Sequence, residues 1–63
     1  MPLNSNPNIA DADGFYADLL AAHRGLSEAE SHAMNARLVL ILANHIGDTA
    51  VLTQALVLAK AGS

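Results

Sequence analysis

The sequence predicts an all-α chain of three helices, a short first, a long central and a C-terminal one. Three observations carry this. Three segments repeat their apolar residues at helical spacing, each segment opens on a capping residue, and each closes at a glycine. No run alternates apolar and polar residues as a half-buried strand would, and 63 residues so divided leave no length for a sheet.

Residues 1–10 stand apart from this pattern. Pro2, Pro7 and the Asn4-Ser5-Asn6-Pro7-Asn8 run supply turn chemistry and no period, which predicts a flexible N-terminal arm. Leu3 and Ile9 are its two side chains able to dock on the body. The arm has neither the basic nor the apolar stretch of a signal peptide, so a cytoplasmic protein is expected. Residues 11–63 read as a single helical domain.

The first helix is expected over about residues 12–24. Asp11 or Asp13 can accept a hydrogen bond from the free N–H groups of its first turn, and both suit the positive end of the helix dipole. Phe15, Leu19 and Ala22 form one stripe with Tyr16, Leu20 and His23 at its edge, while Asp18 and Arg24 face away. Gly25 then offers the left-handed residue that closes helices.

Ser27 and Glu30 have capping-box spacing, in which each side chain satisfies the other residue's backbone N–H, and they open a second helix over 28–46 that stops at Gly47. At 100° per residue, Ala29, Ala33, Ala36, Leu40 and Ala43 line one face, and Met34, Leu38, Ile41 and Leu42 a broadly opposite one. From Leu38 to Ala43 the helix is apolar all the way round, the mark of a helix enclosed on every side. Asp48 caps a third helix over 49–61, ending at Gly62. Its broad apolar face is Val51, Leu52, Ala55, Leu56, Leu58 and Ala59, and Val57 falls among Thr49, Thr53 and Lys60 on the other side.

Size turns this pattern into an expectation about partners. A 6.5 kDa chain exposes roughly 9,400 Å² unfolded and about 3,800 Å² when compactly folded, the lower edge of what closes a core alone. With no cysteine there is no disulfide to compensate, which leaves a metal or oligomerisation, with idealised monomeric helix packing as the competing possibility. Two flanking helices cannot surround a third. The expected assembly is therefore a homodimeric helical bundle, with Ala33, Ala36, Arg37, Leu40, Ala43 and Val57 at the interface. Arg37 either snorkels there or pairs with Asp48, Glu30 or an acid of the partner.

Composition removes several classes of function. The net charge is −3 and the only cations are Arg24, Arg37 and Lys60, which argues against nucleic acid and anionic membrane surfaces. Six consecutive apolar residues fall far short of the ~20 that span a bilayer. The chain has no Gly-rich phosphate loop, no Gly-x-Ser-x-Gly and no paired carboxylates in an apolar setting, so neither a catalytic residue nor a cofactor is expected. A small interaction or accessory protein, self-associating through its central helix, is the leading expectation. Docking onto a larger enzyme is the second partner considered.

The alternative is a metal- or small-ligand-binding protein using His45, with Asp48 as orienting carboxylate, at the turn between the second and third helices. Both residues have architectural uses there: His45 suits the negative helix end and Asp48 caps the next helix. Glu28 and His32 share a face at i, i+4 but lack further ligands. His23 reads as an edge-of-core histidine, and His23, His32 and His45 would meet only across an interface.

Asn8-Ile9-Ala10-Asp11, Phe15-Tyr16, Leu19-Leu20-Ala21-Ala22-His23, Gly25-Leu26-Ser27, Asn35-Ala36-Arg37-Leu38 and Leu42-Ala43-Asn44-His45-Ile46-Gly47-Asp48 together give the chain a resemblance. From about Asn8 to Ala61 it resembles a family of small uncharacterised bacterial proteins, the domain of unknown function designated twenty-seven eighty-three. The resemblance implies a stand-alone helical polypeptide of bacteria and carries over no catalytic residue.

Overall fold

The computed structural model describes residues 2–62; Met1 of the predicted arm and Ser63 of the predicted helical domain lie outside the described residues. Within them the chain forms α1 (Ala12–His23), α2 (Glu28–Ile46) and α3 (Thr49–Ala61), with no strand. The all-α prediction holds because local capping chemistry fixes each helix end.

Of the two aspartates offered as the first cap, Asp11 takes the role: its Oδ1 accepts from the Gly14 N–H at 3.0 Å, and Asp13 sits in the first turn. A Cβ on residue 14 would meet the Asp11 carboxylate where it now lies, so the carboxylate would have to shift to keep this cap with any other residue there. The helix ends at His23, with Arg24 as cap and Gly25 at φ +83° turning the chain toward α2. Ser27 and Glu30 form the reciprocal box, Ser27 N–H donating to Glu30 Oε1 at 2.9 Å and Glu30 N–H to Ser27 Oγ at 3.2 Å. Gly47, at φ +73°, returns its N–H to the Ala43 carbonyl at 2.9 Å. Asp48 Oδ1 then accepts from Ala50 N–H at 3.0 Å and Val51 N–H at 3.2 Å, so two residues make the whole corner between α2 and α3.

Packing divides α2 into two halves. On the N-terminal half α1 covers the Met34 side: Leu19, His23, Ser31, Met34 and Leu38 are half-buried, and His23 Nδ1 lies 3.0 Å from Ser31 Oγ. At the other end α3 carries the one buried residue among those described, Val51 at 6% exposure, with Leu52, Ala55 and Ala43 half-buried. The arm reaches this end too. Leu3 is half-buried and its N–H donates to Gln54 Oε1 of α3 at 3.1 Å.

The helices touch only at isolated places, and the core stays open. The exposed area is 5369 Å² against about 3,800 Å² for a compact chain of this mass. The radius of gyration is 13.2 Å, where a compact 63-residue domain has about 11 Å. Local structure is complete in this chain; its tertiary burial is not.

Candidate functional site

The surface left by this fold is apolar in three places. The first is the ridge of α2. Ala29, Ala33 and Ala36 are exposed because α1 packs on the Met34 side, and Val39, Leu40, Ile41 and Leu42 project in four directions about 100° apart. Leu40, on the alanine face, is 69% exposed.

The second is a groove between α1 and α2. Phe15, Leu19 and Ala22 form one wall and Met34 and Leu38 the other, around a hollow of about 190 Å³ with Asp18 as its charged member. Phe15 remains 47% exposed, so its side of the groove stays open to solvent. This groove is new relative to the sequence reading, which placed Phe15, Leu19 and Ala22 on a common stripe but gave them no open partner surface.

The third lies on α3. Val51, Leu52 and Ala55 turn toward the chain, whereas Leu56 and Val57 are 69% and 66% exposed. Thr53, Leu56, Val57 and Lys60 follow the i, i+3, i+4, i+7 spacing of one helical stripe, which the structure leaves outward. Of the residues predicted at an interface, Ala33, Ala36, Arg37, Leu40 and Val57 are exposed, and Ala43 is half-buried near the α2–α3 corner. Leu56, Leu58 and Ala59, which the sequence reading placed on the broad apolar face of the third helix, are exposed as well.

Asp11, His23, Glu30 and Asp48 have architectural partners. The Asp48 carboxylate faces the first turn of α3, where it accepts the two N–H groups named above, which is the capping role. His23 joins α1 to α2 through Ser31, as an edge-of-core histidine does. Among the described residues no three His, Asp or Glu side chains come together as a metal site would need. The Ser27 backbone N–H, with a smaller contribution from its hydroxyl, holds the Glu30 carboxyl below the usual glutamate range. Among the same residues no helix is long and apolar enough to cross a membrane.

Fold and surface together define a small three-helix protein whose helices are individually capped and whose apolar faces stay uncovered. Its sequence matches the family described as Protein of unknown function (DUF2783) over residues 3–61, and the chain belongs to that family. No curated protein and no solved structure matches it.

Proposed function

We propose that this protein is a non-catalytic helical interaction module that works as a self-associated unit, with the central helix α2 at the contact. One observation carries the reading: the chain exposes about 1,500 Å² more than a compact protein of its mass, and its large aliphatic side chains from Val39 to Leu42 and Leu56 to Leu58 are exposed. Burying that excess on two copies would remove about 3,000 Å², inside the range of obligate homodimers rather than transient encounters. Such interfaces resemble a domain core cut in half, and here the two halves of a core are what each chain lacks.

The all-round exposure of Val39 to Leu42 supports a second chain over a short docking peptide, since a peptide in one groove covers one direction only. In an antiparallel pair the small Ala33 of one helix faces the longer Leu40 of the other about its midpoint, the large-against-small arrangement that close helix packing needs. Sedimentation at micromolar concentration tests the proposal. A dimer or small oligomer is expected for the natural sequence and dissociation or unfolding for Leu40→Glu; a well-folded monomer overturns it.

A further inference from the structure

We propose that this chain has a second self-contact, separate from the alanine face of α2: the α1–α2 grooves of two copies close on each other about a two-fold axis, so that the assembly reaches four chains as a pair of dimers. This deepens the self-association reading and rests on it.

Direction separates the two faces. Leu40 marks the alanine face, and at 100° per residue Met34, Leu38 and Ile41 lie about 120°, 160° and 100° round α2 from it. A helix buries a stripe about 100° wide against one partner, so a chain packed over Leu40 covers about 50° to either side and reaches none of the three. Met34, Leu38 and Ile41 keep the i, i+4, i+7 spacing of a stripe of their own. α1 takes only part of that stripe. Met34 and Leu38 are half-buried, whereas Ile41 is 64% exposed, and across the hollow of about 190 Å³ Phe15 is 47% exposed. The hydrogen bond between His23 and Ser31 ties α1 to α2, so each chain presents this groove already formed.

Area gives the number of contacts. Divided between the alanine face and the groove face, the excess of about 1,500 Å² per chain leaves about 750 Å² to each, close to the ~800 Å² that one partner buries in a standard interface. Either contact alone leaves the other face in water. Two self-complementary contacts on one chain, with their two-fold axes at right angles, close at four copies, the commonest closed assembly after the dimer.

Sedimentation of the full chain over a dilution series tests the second contact. The natural sequence should form a tetramer that passes through a dimer on dilution. Ile41→Lys, at an exposed position, and Phe15→Ala should each raise the dissociation constant of the dimer-to-tetramer step at least tenfold, with helix content by circular dichroism unchanged. Leu40→Ala should weaken the other step instead. A tetramer that neither Ile41→Lys nor Phe15→Ala reduces overturns the groove contact. A natural sequence that stops at two chains overturns the four-chain assembly; where those two variants also leave that dimer intact, self-association through the Leu40 face still stands. A natural sequence that is monomeric throughout overturns both readings.

Discussion

Leu40→Ala separates a covered α2 from a solvated one. In a single chain Leu40 is 69% exposed, and alanine is at least as good a helix former as leucine. Were that surface to stay in water, the substitution would change stability by no more than about 0.5 kcal/mol. Under a second chain the exposed part of the side chain becomes buried. Complete burial of a leucine contributes about 1.5–3 kcal/mol, so the remaining two thirds contributes about 1–2 kcal/mol per chain and about 2–4 kcal/mol per symmetric dimer. That corresponds to a dissociation constant raised roughly 30- to 700-fold. The assay is a dilution series by sedimentation, paired with thermal unfolding at two concentrations, since the midpoint of an obligate dimer rises with protein concentration. A midpoint independent of concentration and unmoved by Leu40→Ala would refute the reasoning.

Further expectations concern the helix ends. Ser27→Ala removes the hydroxyl partner of the box and should cost about 1 kcal/mol, read by circular dichroism as a midpoint lowered by about 4–8 °C. Gly47→Ala meets no atom nearer than 3.8 Å, so its cost is the left-handed backbone alone, about 1 kcal/mol in the same melt. Because the Glu30 carboxyl is held below its usual range when folded, its contribution is present above the unfolded glutamate value and fades as pH falls through the folded one. Glu30→Gln should therefore flatten part of the acid limb of a stability–pH profile and leave its slope near neutrality unchanged.

Most of the local structure was legible in the residues. Ser27 with Glu30, Asp48 beside Thr49, and the glycines at 25 and 47 each act within four residues of where they stand, so chain order alone reveals them. Choosing Asp11 over Asp13 was harder, because both satisfy the same rule. The structure decides it: the Asp11 carboxylate accepts from Gly14 N–H, and Asp13 lies within the first turn. The reading of Asp48 as a cap was likewise available from spacing, and the bonds to Ala50 and Val51 give it that role.

The groove and the outward stripe were not legible in the same way. Periodicity says that Phe15, Leu19 and Ala22 share a face, but not whether a neighbour fills the space beside them. On α3 it gives a broad apolar face without saying which part turns inward; the structure turns Val51, Leu52 and Ala55 in and leaves Leu56 out with Val57. The sequence by itself therefore determined three capped helices and an excess of apolar residues. Only the tertiary structure decided where that excess lies. The reason is physical: capping and helical periodicity act within a turn, whereas exposure depends on which side of α2 receives α1 and how sharply the Gly47–Asp48 corner directs α3.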